Sequence, residues 1–201
     1  MEIRSIATTD ELSKAIAFFR ETIPFRSTDI LTDEDSPYTY AAWERRFLED
    51  PCLLVTAFDC GQIIGAAWGR VEGTSVTVGP VAVGVEYRGR GIGFLLIREL
   101  EARCLKLGIH SLWLGALQKA EGFYLKCGYQ PSLLIQARKP VTLDDLRREN
   151  TVYTEEWTYE DETDVRLCLR TSAIDRQIQR RYDERFPGCS TQVLFSKRLA
   201  G

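Results

Sequence analysis

The chain has 201 residues, 44% apolar and 27% charged, with a formal net charge of −3. That mixture is globular rather than disordered, and the length suits one large domain or a domain of about 140 residues with a smaller appendage. No basic surplus is present to neutralise a nucleic-acid backbone or an anionic leaflet: residues 138–201 carry 12 basic and 12 acidic side chains, so neither half is a basic arm.

Neither nucleic acid nor a membrane is therefore an expected partner. The six cysteines (52, 60, 104, 127, 168 and 189) form no C-x-x-C pair and the only histidine is His110, so no metal is expected. The chain begins Met1-Glu2-Ile3-Arg4 without an apolar h-region, and no apolar run approaches about 18 residues. A reducing, cytoplasmic home is the expectation.

Residues 2–7 read as a first strand. Thr8 and Glu11 then have the spacing of a capping box, opening a helix whose Leu12, Ala15, Ile16 and Phe19 share one face. From Thr22 to Pro37 the pattern dissolves into a loop, expected to be mobile, that holds Asp33-Glu34-Asp35; a short helix follows over Tyr40–Leu48. Leu53–Phe58, Ile63–Val71 and Thr74–Val85 read as three strands of an antiparallel meander, the first two joined through Cys60-Gly61.

The third strand ends in Val81-Ala82-Val83-Gly84-Val85 and runs into Arg88-Gly89-Arg90-Gly91-Ile92-Gly93. Glycines at 89, 91 and 93 let consecutive backbone N–H groups converge on a phosphate at the positive end of a helix. A dinucleotide fingerprint would need G-x-G-x-x-G, but position 94 is Phe and no carboxylate ends the next apolar run; a P-loop would need Gly-Lys-Ser/Thr, which is missing. The competing structural reading is a glycine-rich turn that only redirects the chain.

In the following helix Ile97, Leu100, Cys104 and Leu107 form one stripe with Arg98, Glu99 and Arg103 outside, and Gly108 stops it. A strand over Ile109–Leu114 completes a βαβ unit, whose right-handed crossover implies parallel strands. A second short helix, Lys119–Cys127, closes at Gly128. Past Pro140, Leu143–Arg148 is helix-like, Thr151–Tyr159 and Val165–Arg170 alternate as a hairpin, and Ser172 with Asp175 caps a helix carrying Ile174, Ile178 and Tyr182. Pro187-Gly188 stops that helix, and Thr191, Val193 and Phe195 alternate in a last strand.

Two motifs carry a family resemblance. Arg88 to Gly93 is similar to the Q/R-x-x-G-x-G/A pyrophosphate loop of the GNAT superfamily of acyl-CoA-dependent N-acetyltransferases. Ala120-Glu121-Gly122-Phe123-Tyr124-Leu125-Lys126-Cys127-Gly128-Tyr129 resembles that family's A-x-x-F-Y-x-K-x-G-F/Y. The pair spans residues 63–130. The resemblance implies an α/β fold with a central mixed sheet flanked by helices over residues 1–139, and a small C-terminal α/β subdomain over 140–201.

It further implies acetyl-CoA as cosubstrate and a primary amine of a small molecule or peptide as acceptor. Backbone amides of Arg88, Gly89, Arg90, Gly91, Ile92 and Gly93 would hold the pyrophosphate, and the main chain at Val83 and Val85 would pair with the pantetheine arm. A bulged strand at Gly84 would leave polar groups open to that arm, with an N–H near Val83 as oxyanion donor. Tyr124 would protonate the departing thiolate; the alternative is a core aromatic, since Ala120, Phe123, Tyr124 and Cys127 fall at helical spacing.

The family's usual Asn is replaced by Leu117, so Gln118 stands in or the contact is lost. Glu72 is the nearest carboxylate to serve as base but reads first as a turn residue, Glu86 falls on the solvent side of the loop, and His110 reads as structural. The acceptor would meet the 22–40 loop, where Asp33, Glu34 and Asp35 with Tyr38 and Tyr40 would attract a cation. The tail from Pro140 would roof that cleft, buttress the sheet, or donate a strand to a partner subunit in a homodimer. A non-catalytic acyl-CoA sensor is the competing class, and a nucleotide-binding protein a third.

Overall fold

The computed structural model describes residues 1–23, 39–150 and 152–200. The expected loop at 22–37, with its acidic cluster, and Tyr38 lie outside the described residues apart from Thr22 and Ile23. The chain divides into two compact units, residues 1–112 with 198–201 and residues 113–197.

In the first unit, β1 (Glu2–Ser5), β2 (Leu54–Asp59), β3 (Gln62–Glu72) and β4 (Ser75–Val83) form an antiparallel sheet in that order. Cys60 and Gly61, both with positive φ (46° and 80°), make the tight β2–β3 turn, as a two-residue hairpin with right-handed twist requires. One face is covered by α1 (Thr9–Thr22) and α2 (Tyr40–Glu49). Trp68 centres this core, edge-on to Phe19 and Trp43 at 4.9 Å each, its indole N–H donating to the buried Thr56 hydroxyl at 3.1 Å.

The other face takes α3 (Ile92–Lys106). Small residues make this possible. A Cβ on Gly65 would lie 3.0 Å from Leu96, and one on Gly69 3.2 Å from Leu100, so glycines four apart on one strand face form the groove in which the helix rests. The expected inward stripe holds for Ile97, Leu100 and Cys104, and burial pushes the Cys104 thiol up to about 12, as befits a small hydrophobe. Leu107 departs from it: it lies past the last helical residue and is 46% exposed.

Arg103 departs in the opposite sense. Its guanidinium turns inward to the Cys52 carbonyl (2.7 Å) and the Ser5 hydroxyl, while Nε donates to Glu99 at 2.8 Å. The Thr8 hydroxyl caps α1 by accepting from the Glu11 amide at 3.1 Å, but the reciprocal half of the box is not made: Glu11 accepts from the Ala7 amide and pairs with Arg4. Strand β5 (Ser111–Gly115) runs across the division between the units.

The second unit is organised around β6 (Gln130–Arg138), a strand absent from the expectation. It pairs antiparallel with β8 (Asp164–Arg170) on one side and β9 (Ser190–Arg198) on the other, and β7 (Thr154–Glu160) adds outside β8. Helices α5 (Leu143–Glu149) and α6 (Arg176–Arg185) bury Leu146, Ile178 and Tyr182 against Leu133, Ile135, Val165 and Leu167. Asp175, not Ser172, caps α6, accepting from the Gln177 and Ile178 amides. The expected boundary at 139/140 falls inside this sheet, because the strands beyond it flank β6.

Candidate functional site

Beyond β4 the chain changes geometry at once. The Gly84 amide donates to the Ile64 carbonyl at 2.9 Å, so the β3–β4 ladder continues through Gly84. The expected bulge lies upstream instead: the register shifts between Ala67 and Gly69, where β4 inserts an extra residue at Gly79–Pro80 opposite Trp68. With Gly84 bonded to Ile64 and Ala82 opposite Ala66, antiparallel alternation turns the N–H and C=O of Val83 away from β3.

A single 3-10 turn, Val85–Tyr87, follows. The Tyr87 amide donates to the Gly84 carbonyl (2.9 Å) and the Arg88 amide to the Val85 carbonyl (3.3 Å). Arg88 is thereby taken out of the expected set of amide donors. Gly89 and Gly91 have φ of 76° and 78°, a conformation that costs an L-residue roughly 1–2 kcal/mol. Gly91 caps α3 with no side-chain bond, and the first helical bond runs from the Leu95 amide to the Gly91 carbonyl.

Among the described residues, the amides of Gly89, Arg90, Gly91, Ile92, Gly93 and Phe94 therefore have no acceptor in the chain. Six consecutive N–H groups at a helix N-terminus form an anion-binding concavity. It starts one residue later than expected and extends one further. Ile92 contributes only main chain, its side chain being buried at 5% exposure.

Two guanidiniums brace the turn. Arg88 Nε donates to the Val83 carbonyl at 3.0 Å and Arg90 donates to the Glu86 carbonyl at 2.9 Å. The Val83 carbonyl assigned by resemblance to the pantetheine arm is thus taken by Arg88, while Val85 is 70% exposed and its carbonyl is used by Arg88 N–H.

Glu72 is held elsewhere. It sits opposite Ser75 at the far end of the β3–β4 hairpin, about 25 Å along the strand from Val83 at the usual rise per residue. There it is paired with Arg70 and accepts from the buried Thr77 hydroxyl at 2.5 Å. It is a structural carboxylate, not a base at the glycine turn. His110 is exposed, and its carbonyl accepts from the Leu199 amide at 2.8 Å.

The remaining predicted residues belong to the second unit. Gln118 is exposed in a 3-10 turn, Gln118–Ala120, capped by Leu117, which is itself 43% exposed. Tyr124 lies on α4 (Glu121–Lys126), 7% exposed, its ring 5.1 Å from Phe123, 6.0 Å from Tyr129 and 5.7 Å from Phe195. Burial pushes its phenol well above the ordinary value, with the Cys127 thiol adding to the shift, so the proton is retained across the neutral range.

Residues 7–129 match the model of the acetyltransferase (GNAT) family. This chain belongs to that family. A Bacillus subtilis protein, YyaT, is 28% identical over 85 residues, 42% of this chain; the match spans 57% of that relative's length. Among solved structures, the PaiA N-acetyltransferase of Thermoplasma acidophilum in complex with coenzyme A superposes with a TM-score of 0.54 at 17% identity, over 85% of this chain and 98% of that one. The ribosomal-protein-S18-alanine N-acetyltransferase of Escherichia coli gives 0.50 at 20% identity, over 87% and 96%.

At such identities the likeness is one of fold. It is the GNAT fold, α/β with a central mixed sheet flanked by helices. The family match takes in both sequence motifs, the glycine turn and the Tyr124 helix.

Proposed function

We propose that this GNAT protein transfers an acetyl group from acetyl-CoA to a primary amine of a small molecule or peptide. The observation that carries the reading is the run of six acceptor-less amides from Gly89 to Phe94, joined to a strand whose Val83 main-chain groups point away from β3. A diphosphate would fill the first. An amide-bearing arm would lie along the second by main-chain hydrogen bonding, displacing Arg88 from the Val83 carbonyl.

In the reaction the neutral amine nitrogen attacks the thioester carbonyl carbon, a C–N bond forms, and negative charge gathers on the carbonyl oxygen, where an N–H near Val83 would stabilise it. Collapse breaks the C–S bond. Tyr124 would give its proton to the departing thiolate and regain one from solvent; its buried phenol arrives protonated at neutral pH. The amine's own proton leaves to water, Glu72 being held at the opposite end of its hairpin.

Leu117, exposed where relatives carry an amide, favours a second reading: a protein that binds acyl-CoA without turning it over. Calorimetry with acetyl-CoA and thiol release against an amine library separate the two. Turnover on at least one amine, with kcat falling about a hundredfold in Tyr124→Phe and acetyl-CoA affinity kept, is expected. Tight binding with no turnover on any amine favours the sensor, and undiminished transfer by Tyr124→Phe across the pH range removes the acid assignment.

A further inference from the structure

Helix α4 is only six residues long and carries two buried polar side chains one turn apart, Tyr124 and Glu121. A carboxylate at 4% exposure needs a partner, because desolvation penalises an isolated charge by several kcal/mol. Its partner is Arg176, 55 residues away, whose guanidinium pairs with Glu121 and also donates to Gln179.

Arg176 occupies the first position of α6, where the helix dipole disfavours a cation; the first turn holds no acidic residue, and the carboxyl of the cap, Asp175, is engaged by the Gln177 and Ile178 amides and the Tyr153 hydroxyl. Its placement therefore opposes the needs of its own helix. What it gains is Glu121. Gln179, 7% exposed and one turn further along α6, orients the guanidinium from its other side and approaches Thr191 of β9 at 3.5 Å.

We infer that Glu121 and Arg176 are positioning residues for the acetyl-transfer site: the ion pair fixes the short helix α4, and with it the Tyr124 hydroxyl, against the C-terminal helix α6. The inference rests on Tyr124 being the acid of the proposed reaction. A helix of six residues has too few internal hydrogen bonds to hold its own orientation, so an external two-point contact sets it. A directional pair whose carboxylate is buried and whose guanidinium is part-exposed is suited to that, since its geometry admits one arrangement where apolar packing admits several. Residues 140–201 thereby acquire a role in catalysis that does not require them to touch the acceptor.

The test uses the full chain with acetyl-CoA and whichever amine supports turnover. Arg176→Ala should lower kcat between about tenfold and a hundredfold, the range that small misplacements of a reacting group produce, while leaving the KM for acetyl-CoA within about twofold. Arg176→Lys should recover part of the loss. Because Arg176→Ala strands a buried carboxylate, the double variant Glu121→Met/Arg176→Met, which removes both charges at similar volume, carries the same expectation in a chain that keeps its fold. A readout independent of activity is the 13Cζ resonance of Tyr124, assigned by its disappearance in Tyr124→Phe, which should shift or broaden in either variant. Wild-type kcat in the double variant, or an unmoved Tyr124 resonance in both, overturns the inference. Loss of activity on Tyr124→Phe without these effects leaves the acid assignment standing and the positioning refuted. If no amine is turned over, the acetyl-transfer reading fails and the resonance alone decides whether the pair holds Tyr124.

Discussion

Arg88 illustrates how one side chain can preorganise a binding turn. Its N–H closes the 3-10 turn and its Nε ties back to the Val83 carbonyl at 3.0 Å, so the glycine run starts from a fixed point. Once the arm displaces it from the Val83 carbonyl, the freed guanidinium is a donor beside the amide run, so Arg88→Ala should weaken acetyl-CoA binding about tenfold, the value of one charge-assisted hydrogen bond to the diphosphate, and Arg88→Lys should restore only part of it because an ammonium lacks the fork; calorimetry reads both. Gly91→Asp places a Cβ at φ 78° and a negative charge at the mouth of the amide run. Binding should fall beyond detection in the same titration, with the far-ultraviolet dichroism of the fold kept. At this scale the glycines were legible in the sequence because a positive φ restricts the residue that can occupy it. The guanidinium on Val83 was not, since nothing local marks where a flexible side chain will bond.

Elements differ in how much of their reason is local. Asp175 is a local signal: it caps α6, and its carboxyl lies below the usual carboxylate range, held there first by the Tyr153 hydroxyl at 2.8 Å and then by the Ile178 and Gln177 amides. A depressed pKa means that the cap contributes fully above the ordinary carboxylate value near 4 and is lost as pH falls through the folded value. Asp175→Ala should therefore cost about 1 kcal/mol at pH 7, and the gap in melting temperature from the parent should close in acid; a gap that persists undiminished at the lowest pH of the series would contradict the charged cap. Strand β6 is the opposite case. Its centre is buried on both faces, so Leu133-Leu134-Ile135 reads as a plain apolar run with no alternation, and Pro131 at its start reads as a break. Such a run has no period from which to infer a strand.

At the scale of the whole chain, the tail is integral to the second unit. Strands β8 and β9 lie on either side of β6, and the Tyr182 hydroxyl of α6 donates to the Leu146 carbonyl of α5 at 2.9 Å. A chain ending at residue 139 would leave β6 with both edges open, so residues 113–139, including Tyr124, should lose their ordered amide resonances or aggregate. A soluble fragment with protected β6 amides in hydrogen exchange would contradict this. Among the described residues no helix is long and apolar enough to cross a membrane.

The sequence by itself determined the parts whose physics is local: the glycine turn, the caps at Thr8 and Asp175, the β2–β3 turn, and the two motifs that place the chain among GNAT acetyltransferases. Tertiary structure alone decided which amides stay open, where the β4 bulge falls, that Glu72 is spent on Arg70 and Thr77, and that Glu121 meets Arg176. The reason is range. Backbone conformation is set by a residue and its neighbours, whereas a buried charge or hydrogen bond is satisfied by whatever the fold brings within 3 Å, and sequence spacing carries no record of that.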